Sequence, residues 1–150
     1  MDVEGIFAVL ISLAMASGKF EVVKGSEFKN APGSGVTGAF WFTALEPMPE
    51  DSGLSATSMR FVLTMRIYMP AVSEPSDDID PQMIAAASAM LAAISGGFTL
   101  GGLVRNVDLL GEFGEPIKAL PGWLAFDGAK LRTVDITIPM ILNNVYDQAA

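Results

Sequence analysis

The run Lys130-Leu131-Arg132-Thr133-Val134-Asp135-Ile136-Thr137-Ile138-Pro139-Met140-Ile141-Leu142 decides how this chain folds. Side-chain character alternates along it, placing Val134, Ile136 and Ile138 on one face and Thr133, Asp135 and Thr137 on the other. A strand with one apolar and one polar face belongs to a sheet packed on one side and wetter on the other. Pro139 has no amide hydrogen for a ladder, so the strand is expected to end, bend or lie at an edge there. A late amphipathic edge strand is a device for joining, either to the rest of the sheet or to another subunit. Arg132, Thr133, Asp135 and Thr137 are therefore read as the face that meets a neighbour.

Upstream, Asp127-Gly128 is a hairpin signal, which makes 123–126 the strand preceding this one. The longest other strand spans 59–69. Phe61, Leu63, Met65, Ile67 and Met69 share one face of it, and Arg60, Thr64, Arg66 and Tyr68 the other. Pro70 closes it. Shorter strands are expected over 20–24 and 39–45, with 103–110 a short strand or turn and 111–122 a loop.

Two helices complete the pattern. Ile6, Val9, Leu10 and Leu13 recur at helical spacing over 2–16, with Asp2 and Glu4 at the positive end of the dipole and Gly18 at the stop. Asp80-Pro81 opens the second, a side-chain acceptor as N-cap followed by proline in the first turn. Residues 83–94 are almost all Ala, Met, Leu and Ile, so that helix must bury most of its surface, against the sheet and a neighbouring subunit. The order is αβββαβββ, a single-domain α+β fold over 1–150 with a mixed, mostly antiparallel sheet and two helices on one face.

Composition narrows function. The chain has 150 residues, 51% of them hydrophobic, enough for one sizeable core. Its net charge of −8 argues against a basic grip on nucleic acid. It contains no cysteine and no histidine, which removes disulfides, thiolate metal sites, thiol nucleophiles and imidazole acid–base chemistry. The apolar run 6–16 ends in Ala14-Met15-Ala16, but acidic Asp2 and Glu4 stand where a signal peptide carries positive charge. The run is also too short to span a bilayer. It reads as a buried helix, and no membrane partner is expected.

Motif candidates give way to structural readings. Gly33, Gly35 and Gly38 have dinucleotide-fingerprint spacing, yet strand chemistry follows where a helix is required. The glycines of 96–102 lack the Lys-Ser or Lys-Thr of a phosphate loop and mark a helix stop. Asp77, Asp78 and Asp80 have no distal Glu to complete a calcium loop. Glu112, Glu115 and Asp127 read as a solvated surface. The methionines, Met65, Met69, Met83 and Met90 among them, read as core filler. No catalytic, cofactor-binding or metal-binding residue is assigned.

Taken in order, the chain resembles the tail terminator proteins of long-tailed, siphovirus-type phages. The features that carry the likeness are the N-terminal helix into Phe20-Glu21-Val22, the long strand Arg60 to Met69, and the apolar second helix. Val104-Arg105-Asn106-Val107-Asp108-Leu109-Leu110-Gly111 and the late segment Arg132 to Tyr146 add to it. The resemblance lies in pattern and element order over nearly the whole chain. It implies a structural subunit of a homohexameric ring that caps the tail tube and ends its polymerisation. The ring's other face would join the head-completion (stopper) protein, and genomic DNA would pass through its centre without sequence-specific binding. It further implies a place at the head-proximal end of the virion tail, reached from the host cytoplasm during assembly.

Six subunits at −8 each make a strongly acidic ring, suited to letting DNA slide. The loops 25–38 and 46–58 are expected to order on contact with neighbouring rings. The candidate interface residues are thus Arg132, Thr133, Asp135 and Thr137, with Arg60 and Arg66 on the long strand and Pro47, Pro49, Glu50 and Asp51 in the acidic loop. A tail tube or neck (head–tail joining) ring subunit is the nearest alternative, and a monomeric small-ligand-binding domain the more distant one.

Overall fold

Strand β6, Ala129–Asp147, runs straight through Pro139 and lies in the middle of the sheet. In this computed structural model, which describes residues 1–29, 32, 35–49, 56–71 and 76–147, the sheet order is β1-β2-β3-β6-β4, with β5 also paired to β6. The other elements are α1 (Val3–Ala16), β1 (Val22–Lys24), β2 (Thr37–Pro47), β3 (Ala56–Pro70), α2 (Ile79–Gly96), β4 (Asn106–Val107) and β5 (Lys118–Phe126). Only β1 and β2 pair in parallel; every other ladder is antiparallel. The result is the expected αβββαβββ order and a single-domain α+β fold.

The edge reading of the last strand is thereby corrected, and the reason lies at Pro139. On one side β6 pairs with β3 throughout, Val62 standing opposite Pro139. On the other side β5 ends at the Lys118–Thr137 pair and β4 begins at Val107–Met140. The Pro139 carbonyl accepts from the Asp108 amide at 2.8 Å. A residue's N and O point to the same side of a strand, so the missing N–H falls in the gap between β5 and β4. No ladder bond is lost, and the strand continues.

Both helices pack on one face. Ile6, Leu10 and Ala14 of α1 and Ile79, Met83, Ala86, Ala87, Met90 and Ile94 of α2 close over Phe40, Leu63, Met65, Ile67, Val134, Ile136, Ile138 and Met140. The alternation read in β3 and β6 supplies most of this core. Asp2 caps α1 by accepting from the Gly5 amide at 2.9 Å, and Gly18 closes it at φ +73°. The N-cap of α2 is Asp78, without a side-chain cap bond, and not Asp80. The Asp80 carboxylate is held instead by Arg132, whose Nε donates to it at 2.9 Å.

That pair exposes a second correction. Arg132 stands on the helix face with Val134, opposite to Thr133, Asp135 and Thr137, because Leu131 (1% exposed) takes the other face with Ala39 and Tyr68. Side chains alternate without a break through this part of β6, so Arg132 shares the face of Val134 by parity; only the apolar–polar pattern reverses, at Leu131. Segment 118–122, expected as loop, is the first half of β5, and Pro121 is tolerated because β5 is an edge strand. The hairpin turn holds as expected, with Asp127 and Gly128 at φ +53° and +76°.

Candidate functional site

Among the described residues, two long stretches of sheet edge lie open, one at each side. At the first, β1 covers only Thr37, Gly38 and Ala39 of β2, so the rest of β2 has no strand beside it among the described residues. Phe42 is 61% exposed there, touching Phe61 at a ring separation of 5.9 Å. At the second, the outer edge of β5 likewise has no partner strand among the described residues. Leu120 and Trp123 stand exposed on it. Trp123 is braced by its hairpin partners, with Arg132 at 4.4 Å and Lys130 at 5.0 Å from the ring centroid. Cation–π contacts of this kind favour one placement of the indole on the hairpin surface.

Beside β5 runs a groove of about 340 Å³, between that strand and α2. Met83, Ile84, Ala87, Leu91, Pro121 and Val134 form its apolar wall, and the Arg132–Asp80 pair closes one end. The groove exists because α2 is built from small residues: Ala87 and Ser88 stand where a larger side chain would reach the sheet edge.

The other face of the sheet is polar in its centre. Arg66 donates to both Asp135 oxygens, at 2.7 and 2.9 Å, and lies under the Trp41 ring at 5.1 Å. The hydrogen bond to Asp135 is the main reason the Arg66 pKa is raised. Next to it Tyr68, 4% exposed, meets Phe28 edge-on, and burial holds its pKa above the ordinary value of 10.0. The sign follows: a folded-state pKa raised above the unfolded one adds stability that is complete below pH 10 and is lost as pH rises past it. Urea unfolding between pH 9 and 11 should therefore show a steeper loss in the native chain than in Tyr68→Phe; equal slopes would remove this assignment.

The candidate residues from the sequence separate on this frame. Asp135 and Arg66 are brought together as a bidentate pair, with Thr137 beside them opposite Thr64. Thr133 is buried at 4% and Arg60 at 7%, so both face their own chain. Pro47 and Pro49 are exposed at the end of β2, while Glu50 and Asp51 lie outside the described residues. Arg132 belongs to the groove.

Arg60 is enclosed by the segment 108–117. Its Nη2 donates to the Glu115 carbonyl at 2.5 Å, and its Nε lies 3.9 Å from the Asp108 carboxylate, too far for a hydrogen bond. Glu46 stands 3.8 Å from Nη1. Asp108 in turn accepts from the Glu112 and Phe113 amides at 2.8 and 3.0 Å. Gly114 (φ +156°) is required here, since a Cβ would come within 2.9 Å of the guanidinium carbon. The outcome is a fixed loop with Leu110 at its tip, 93% exposed.

The sequence reading missed Phe42, Leu110, Leu120 and Trp123. A signal existed for two of them: with 127–128 as the turn, Trp123 and Leu120 fall opposite Arg132 and Asp135, which extends the strand backward past Pro121. Among the described residues no three acidic side chains converge as metal ligands, and no helix is long and apolar enough to cross a membrane. Glu115 is engaged by Lys118 at 2.9 Å, which lowers its pKa. No known family model matches this chain, and neither does any curated protein.

Proposed function

We propose that the chain is a ring-forming structural subunit of a phage tail, of the tail terminator type, without catalytic role or cofactor. The observation that carries the reading is the pair of separate open edges on one small domain, β2 beyond Ala39 with Phe42 and β5 with Leu120 and Trp123. Two different sticky edges cannot satisfy each other within one chain. Joined between copies they make a heterologous contact, which closes into a ring or continues as a filament. The proposed partners are further copies of the chain in a hexamer, the tail tube protein on one face and the head-completion protein on the other, with DNA passing through. The proposed location is the head-proximal end of the virion tail, after assembly in the host cytoplasm.

Light scattering and negative-stain imaging of the protein, alone and with tail tube protein, test this. A single ring at tube ends is expected; long self-stacked tubes would point to a tube subunit. Monomers at every concentration with no binding to tube ends would refute the ring reading and favour a small-ligand binder, for which the groove beside α2 supplies the space. The variant Leu120→Lys with Trp123→Glu should abolish ring formation while leaving the circular dichroism spectrum and urea midpoint unchanged. Unaltered rings in that variant would exclude β5 as a joining edge.

A further inference from the structure

Charge is distributed unevenly in this acidic chain. No charged residue occurs between 5 and 18 or between 81 and 104, so the outer surfaces of α1 and α2 carry none beyond their first turns. Ile84 is 66% exposed on that surface and borders the groove between α2 and β5. A chain of net charge −8 repels its own copies, and a charge-free face is where a like-charged copy approaches at least cost. The groove is apolar and open, and nothing within the described residues of the same chain fills it.

The same chain carries a projection suited to such a groove. Leu110 is 93% exposed on a loop fixed by Asp108, Arg60 and Gly114, so an aliphatic knob is presented without the entropy cost of ordering a loop. Glu112 follows it, with Glu115 already paired to Lys118, whereas Lys130 and the Asp80-paired Arg132 border the groove side of β5. The charges complement one another across a contact between copies. The two features are also separate within one copy. The groove shares the helix face with Val134, and the loop crosses over Arg60, opposite Ile141. Within one copy the knob does not fill the groove: Leu110 is exposed and is not among the residues lining it.

Resting on the reading of the chain as a ring subunit, we infer that Leu110 of each copy inserts into the α2–β5 groove of the next. The contact is head-to-tail, with Glu112 of the loop set against Lys130. A central, desolvated aliphatic anchor ringed by polar contacts is the usual build of an interface hot spot.

The absence of native cysteine allows a direct test. Leu110→Cys and Ser88→Cys, made in separate proteins, are mixed under mild oxidation; both positions are exposed, so folding is undisturbed. Disulfides between the two variants should form at least about tenfold faster than those within either alone, because the contact raises effective concentration. The double variant should give a covalent ladder on non-reducing gels, where a two-fold symmetric contact would stop at dimers. Leu110→Asp should abolish assembly with an unchanged urea midpoint. Rings that persist in Leu110→Asp, with mixed disulfides no faster than like-with-like ones, would overturn the inference and leave the ring reading standing. Monomers throughout, on tube ends as well as alone, would overturn both.

Discussion

Asp108→Ala is expected to lower the unfolding free energy by about 3–5 kcal/mol, the range for removing one partner of a buried charged pair. Asp108 is 3% exposed and does three things at once. Its carboxylate accepts from the Glu112 and Phe113 amides, and it is the buried anion 3.9 Å from Arg60. Its own amide donates to the Pro139 carbonyl, a bond that alanine keeps. The loss therefore comes from two orphaned N–H groups and from a buried guanidinium left with the Glu115 carbonyl and the distant Glu46. Urea denaturation measures it. A loss under about 1 kcal/mol would mean that water replaces the carboxylate freely and that the loop is not pinned. Asp108→Asn should fall between, since one amide oxygen can still accept from the loop.

Phe40→Ala should cost a comparable amount, about 3–5 kcal/mol, as for large-to-small changes at closed core sites. Phe40 is fully buried on the helix face of β2, opposite Met65, where neither sheet nor helix can collapse into the space left behind. Phe42, two residues on and on the same face, is the control. It is 61% exposed, and Phe42→Ala should change the urea midpoint little while weakening assembly. Equal destabilisation by the two substitutions would mean that the helix layer covers β2 further than described. The pair also separates fold from function, since one phenylalanine serves the core and the other an edge.

Much of the architecture was legible because periodicity is local. Phe61 to Met69 and Val134 to Ile138 alternate within the chain itself, so their buried face could be named before any partner was known. The turn at Asp127-Gly128 was equally local, being set by two residues that tolerate positive φ. Pro139 shows where that logic stops. Its lost N–H is costly or harmless depending on what lies beside it, and only the arrival of β4 and β5 at either end of the gap decides which. Arg132 is the opposite case: strict alternation from Val134 already places it on the helix face, where Asp80 of α2 holds it, and grouping it with Thr133, Asp135 and Thr137 went against its parity.

The sequence by itself determined the element order, the α+β class, the core faces of β3 and β6, and the lack of thiol and imidazole chemistry, because each follows from residue type and spacing. Tertiary structure decided which strand is central and which are edges, since edges are defined by what pairs with what over long chain separations. It buried Arg60 beneath a loop from the far end of the chain and left Leu110, Leu120, Trp123 and Phe42 in solvent. Exposure is a property of the assembled layers, and the surfaces proposed here for joining copies exist only once the two helices have covered one face and left the edges bare.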